Sequence, residues 1–245
     1  MSLGKKLLWG GLGWAMGGPI GAILGYAFAS MSDQFQFQGG GETYRRGKIP
    51  RTGTGDFMVS LLVLLASVMK ADEKMLRSEL DYVKQFLNKQ FSTNGAKEYL
   101  LLFKGILNQN YSLRQVCLQI KISMDHPSRL QLMHLLFGLS MADGHTHTKE
   151  LEVIELIATY LNINQNDFDS IKAMFIKSTK SAYDILEIDP SVTDSEVKKA
   201  YRKMAMKYHP DKVAHLGQEL QVSAEDKFKS VNRAYKDIQL ERGFN

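Results

Sequence analysis

The chain has 245 residues, 44% hydrophobic, 23% charged and 10% aromatic, which is enough for a sizeable core and excludes wholesale disorder. Its net charge of +5 is uneven, with +4 in residues 1–55, +1 in 56–180 and none in 181–245, which disfavours a uniformly basic nucleic-acid binder. One cysteine, Cys117, excludes an intramolecular disulfide and a Cys-rich zinc module; it fits a reducing compartment and reads as a small core residue.

Residues 7–31 carry no charge, lie between Lys5-Lys6 and Asp33, and as a helix would cross a hydrocarbon core of ~30 Å. They are expected to form a transmembrane anchor over residues 1–31. Gly13, Gly17, Gly21 and Gly25 recur every fourth residue, a stripe on which two helices can pair as a homodimer in the lipid bilayer. The rival readings are a Gly-rich segment broken at Gly17-Gly18-Pro19 and a cleaved signal peptide with a site at Ala27-Phe28-Ala29. Arg45, Arg46, Lys48 and Arg51 outnumber Lys5 and Lys6, which tips the C-terminal side towards the cytosol. Residues 32–55, with Gly39-Gly40-Gly41 and Pro50, lack apolar periodicity and read as a flexible basic linker.

From Phe57 to Met69 an apolar run too short to span a membrane predicts a buried central helix, and a second copy follows 71 residues later. Leu61, Leu62, Leu64, Leu65, Val68, Ala71, Asp72, Glu79, Leu80 and Val83 match in type Leu132, Met133, Leu135, Leu136, Leu139, Ala142, Asp143, Glu150, Leu151 and Ile154. That is an internal two-fold helical repeat. Its carboxylates have a plain structural explanation, since a Glu in a first helical turn and an Asp closing a loop satisfy backbone N–H groups and the helix dipole. Brought together across the pseudo-two-fold, the same groups would hold a hard divalent cation, with His145 and His147 as softer donors beside one pair.

Over residues 56–175 the sequence resembles the TerB-like helical domain of tellurite-resistance proteins, most clearly at Ala142-Asp143-Gly144, where the first copy has Ala71-Asp72-Glu73. The resemblance implies metal-binding positions at Asp72, Glu79, Asp143 and Glu150, with the first half-site altered at Glu73.

The last 65 residues open with Tyr183, Ile185 and Leu186 and close a short segment at Asp189-Pro190. Thr193-Asp194-Ser195-Glu196 is a capping box. Val197, Ala200, Tyr201, Met204, Ala205 and Tyr208 follow at helical spacing, with Lys198, Lys199, Arg202, Lys203 and Lys207 on the other faces. Pro210 ends that helix and leaves His209-Pro210-Asp211 as a rigid exposed turn. A further helix is expected from Ser223, burying Phe228, Val231, Tyr235 and Ile238.

These residues, with Lys227-Phe228-Lys229 and Ala234-Tyr235 after the turn, resemble a J domain over residues 181–245. Membrane segment, TerB-like domain and terminal J domain in that order resemble the DjlA-like family of membrane-anchored DnaJ-type co-chaperones. The expected fold is therefore all-α: a Gly-rich transmembrane helix, a TerB-like bundle with an internal repeat, and a J-domain helical hairpin.

The J-domain resemblance implies binding to the ATP form of a DnaK-type (heat-shock 70) chaperone and stimulation of its hydrolysis, with no enzymatic activity, catalytic residue or required cofactor in this chain. His209, Pro210, Asp211, Lys198, Tyr201, Arg202, Lys203 and Lys207 are the expected chaperone contacts. Because such a partner consumes ATP, the expected location is the cytoplasmic (inner) membrane with a single pass and the J domain in the cytosol. No nucleic-acid partner is expected and the client proteins are unspecified. The alternative is a metal-binding stress sensor or adaptor in which the J module is an accessory.

Overall fold

The computed structural model describes residues 17–27, 54–71, 77–91, 93–144, 147–176 and 181–244. Among these every regular element is helical. The core is organised around α2 (Thr54–Met69) and α6 (His126–Ser140), which pack on each other as the two copies of the apolar motif. Phe57, Met58, Leu61, Leu62, Leu64 and Leu65 of α2, and Leu132, Met133, Leu136 and Phe137 of α6, are essentially inaccessible to solvent. Each such side chain contributes about 1.5–3 kcal/mol by leaving water, which fixes these two helices at the centre. Asp125 starts α6 by accepting from Ser128 N at 3.0 Å, and Pro127 in the first turn lacks the N–H that would otherwise go unpaired.

The repeat extends further than the sequence reading carried it. The offset of 71 that maps α2 onto α6, and α3 (Arg77–Gln90) onto α7 (Thr148–Tyr160) as the sequence already indicated, also maps α4 (Thr93–Leu107) onto α8 (Gln165–Phe175), with α5 (Leu113–Ser123) between the triplets. At Gly138 on α6 the missing side chain lets Tyr82 of α3 approach, and the Tyr82 hydroxyl donates to Leu135 O at 3.5 Å.

Residues 17–27 form a helix, α1, that lies on this bundle. Ile20 and Ile23 join the core, Gln119 of α5 donates to Gly17 O at 2.8 Å and accepts from Ile20 N at 2.9 Å, and Gln109 donates to Ile23 O at 3.1 Å. Among the described residues no helix is long and apolar enough to cross a membrane. The rest of the expected anchor, Gly13 of the glycine stripe included, and linker residues 32–53 lie outside the described residues. Thr54 and Gly55, assigned from sequence to the linker, open α2 instead.

The C-terminal unit comprises a short α9 (Ser181–Ile185), α10 (Asp194–Lys207), a 3-10 turn (Pro210–Leu216) and α11 (Gln218–Arg242). Arg242 closes it, donating to the Tyr183 hydroxyl at 3.1 Å, to Val192 O at 2.6 Å and to Asp194 at 3.2 Å. Two sequence expectations are corrected here. The final helix begins at Gln218 rather than Ser223, because Gly217, at φ 106, reverses the chain directly from the 3-10 turn into the helix. Its buried stripe is Leu220, Ala224, Lys227, Val231, Ala234 and Ile238, whereas Phe228 and Tyr235 are half-buried at its edge. The 3-10 turn packs on α6 and α2, and α11 on α3 and α8, so the C-terminal unit sits against the helical bundle.

Candidate functional site

The capping box at the start of α10 is formed. Thr193 N donates to the Glu196 carboxylate at 2.8 Å and Glu196 N to the Thr193 hydroxyl at 3.4 Å, and the Thr193 donors hold the Glu196 carboxyl below its usual range. From this start α10 turns Val197 and Met204 inward and leaves Lys199, Arg202 and Lys203 exposed. Lys198 is half-buried, its ammonium 5.6 Å from the centroid of Phe244. Tyr201 is fixed among them: it stacks on Tyr235 at 4.2 Å and donates to Asn232 at 3.0 Å.

Lys207 does not share that face. Its ammonium is held between Glu187 and Asp167 of α8, and its side chain is 21% exposed. Glu187, at φ 57, stands in a left-handed conformation and also receives Lys203 at 3.5 Å. The Asp167 carboxylate is almost fully buried and also meets His126 Nε2 at 2.8 Å. Burial pushes this carboxyl up, but the His126 and Lys207 hydrogen bonds and charges outweigh it and bring it down to about 2.

The His209-Pro210-Asp211 turn projects from the end of α10. His209 is extended at φ −61 and ψ 132, accepts from Asp211 N at 3.3 Å, and meets Phe228 edge-on at 5.7 Å. Gln221 donates to Asp211 at 3.2 Å. The His209 and Asp211 side chains are 49% and 75% exposed, so the turn is braced behind and open in front. Beneath it Lys227 is buried, its ammonium 5.4 Å from the Tyr208 ring centroid, and burial brings its pKa down to about 7. The sequence reading used Lys227 only as part of the Lys227-Phe228-Lys229 motif and gave it no buried role, although its spacing of four, seven and eleven from Val231, Ala234 and Ile238 already placed it on the core stripe.

In the bundle, Glu79 and Glu150 occupy the first turns of α3 and α7 and are buried. Asp143 pairs with His147 at 3.0 Å. Asp72 and His145 lie outside the described residues. Among the described residues no three acidic, His or Cys side chains converge as a metal-ligand set. Cys117 is buried and its thiol is pushed up to about 12 by that burial, as a structural cysteine requires.

A capped cationic helix, a braced His-Pro-Asp turn and an antiparallel return helix make the C-terminal unit a J domain, and the DnaJ domain family matches residues 181–242. The family of tellurite resistance protein TerB matches residues 58–173. The chain is 23% identical over 276 residues to co-chaperone protein DjlA of Haemophilus influenzae, covering 95% of this chain and 96% of that one. It is 23% identical over 262 residues to DjlA of Coxiella burnetii, covering 97% of each. Chaperone protein DnaJ of Fusobacterium nucleatum subsp. nucleatum is 52% identical over 54 residues, 22% of this chain and 14% of that one. No solved structure matches. The chain belongs to the DjlA-like co-chaperones, with a TerB domain followed by a C-terminal J domain. A J domain implies a heat-shock 70 (DnaK-type) partner.

Proposed function

We propose that this chain is a membrane-anchored co-chaperone whose J domain docks on an ATP-loaded DnaK-type chaperone in the cytosol and triggers hydrolysis there, locking client protein in the partner. The observation that carries this reading is the braced, outward-facing His209-Pro210-Asp211 turn beside the exposed Arg202 and Lys203. Lys198, Arg202 and Lys203 steer onto an acidic surface, Tyr201 offers a rigid aromatic body, and the turn biases the partner towards its hydrolysing arrangement by differential binding. His209 acts here as a contact and not as a general base.

Anchoring rests on the uncharged run of residues 7–31 and pairing of two anchors on the stripe Gly13, Gly17, Gly21 and Gly25, and both require residues 17–27 to leave the bundle on which α1 lies. A divalent cation in the TerB domain would have to draw on Asp72 together with Glu79, Asp143 and Glu150. The test is single-turnover ATP hydrolysis by the DnaK-type chaperone in Mg²⁺ with the full chain, either untreated or treated with chelator that is removed before the assay, alongside carbonate extraction of membranes. Chelator-insensitive stimulation by a carbonate-resistant protein is expected. Absence of stimulation overturns the chaperone role, and carbonate release overturns the anchor.

A further inference from the structure

The turn is flanked on both sides by contacts to the TerB domain. Two residues before His209, Lys207 is held by Asp167, which projects from the first turn of α8. Four residues after Asp211, His215 Nε2 lies 3.1 Å from the Ser128 hydroxyl and 3.6 Å from Asp125, at the start of α6. Between these anchors Tyr208 and Val213 are each 3% exposed, while His209 and Asp211 stay open to solvent.

The Asp167 anchor is built to hold. Asp167 is 1% exposed, its own N–H is capped by Asn164 at 2.9 Å, and Asn164 Nδ2 donates to the carboxylate at 3.1 Å. A charge-assisted hydrogen bond to a carboxylate fixed in this way constrains Lys207 far more than a surface ion pair would. A turn that shifts a partner's equilibrium must itself resist displacement, because a contact that yields transmits no preference between the partner's two states. Rigid mounting from a neighbouring domain supplies that resistance.

We propose that Asp167 of the TerB domain is a positioning residue for the His209-Pro210-Asp211 turn, acting through Lys207, so that the TerB domain is part of the apparatus that triggers hydrolysis. This rests on the co-chaperone reading above and assigns Lys207 to mounting the turn rather than to touching the chaperone. Arg202 and Lys203 remain exposed on the outer face, and neither meets Asp167, although Lys203 shares Glu187 with Lys207.

The test titrates the full chain against the ATP-bound DnaK-type chaperone and separates the half-saturating concentration from the maximal single-turnover rate. Asp167→Asn keeps the size of the side chain and removes its charge. It is expected to lower the maximal rate by about threefold to tenfold, the loss of one charge-assisted hydrogen bond, with half-saturation held within about twofold. Lys207→Gln is expected to do the same, the double variant to fall no further than either single, and Asp167→Glu to recover part of the loss. Should Asp167→Asn lose helical signal, Ser128→Ala at the opposite anchor carries the same expectation. Additive losses, a change confined to half-saturation, a raised maximal rate or unchanged kinetics beside an active wild type would each overturn the proposal. A wild-type chain that gives no stimulation would instead overturn the co-chaperone reading beneath it.

Discussion

The ammonium of Lys227 lies 5.4 Å from the centroid of the Tyr208 ring, buried between the His209 turn and α6. A lysine in such a place is desolvated in the folded chain and hydrated in the unfolded one, so its folded pKa falls from 10.5 to about 7. Between those values the unfolded chain binds a proton that the folded chain does not. Stability therefore rises with pH across this window, by ~1.4 kcal/mol per pH unit for the one group, and the full penalty is in place below about pH 7. Lys227→Met is expected to stabilise the chain in urea unfolding at pH 6.5, with an advantage that shrinks steadily by pH 8.5. A constant difference across that range would contradict the assignment.

Removing the imidazole from the exposed face of the turn should cost function without costing fold. His209→Gln is expected to cut maximal stimulation of chaperone hydrolysis at least tenfold, since a contact made only in the hydrolysing state is lost. Thermal unfolding should move by no more than about 2 °C, because a half-exposed side chain with one weak backbone hydrogen bond and an edge-on contact to Phe228 contributes little to stability. A large drop in unfolding temperature would instead make His209 structural.

Charge on the outer face should govern encounter. Lys198→Glu with Arg202→Glu is expected to raise the half-saturating concentration by about tenfold at low ionic strength, an effect that shrinks as salt screens the surfaces. A salt-independent loss would point to a packing fault, for which the Lys198 contact with Phe244 is the place to look.

The bundle makes a separate demand at Gly138, where an added methyl would run into the Tyr82 hydroxyl. Gly138→Ala gains helix propensity of about 1 kcal/mol but must displace a ring that is mostly buried, so a net loss of about 1–3 kcal/mol is expected in chemical denaturation. The pair Gly138→Ala with Tyr82→Phe should recover much of that loss, since the hydroxyl is the group in the way.

Several local signals in the sequence led directly to the structure. The Thr193–Glu196 capping box formed as its spacing required, the apolar run from Phe57 to Met69 became a buried helix, and Pro210 ended α10. Ser223 misled because a Ser-x-x-Asp pattern is also compatible with a helix interior. Gly217, free to adopt φ 106, had already started α11 five residues earlier. On that helix Phe228 and Tyr235 share helical spacing with Val231 and Ile238, whereas the stripe that faces the core runs from those two through Lys227 and Ala234.

Periodicity, capping and chain-breaking residues in the sequence determined the all-α class and the His-Pro-Asp turn, because each depends on residues within a few positions of one another, and the recurrence of one apolar pattern after 71 residues determined the repeat. Only the tertiary structure decided that Lys207 turns away from the cationic face to meet Asp167, that Lys227 is buried, and that α1 rests on Gln109 and Gln119. Those facts join residues 40 or more positions apart, or set a charge against a core, and no local pattern encodes which distant carboxylate or amide will be waiting when two helices meet.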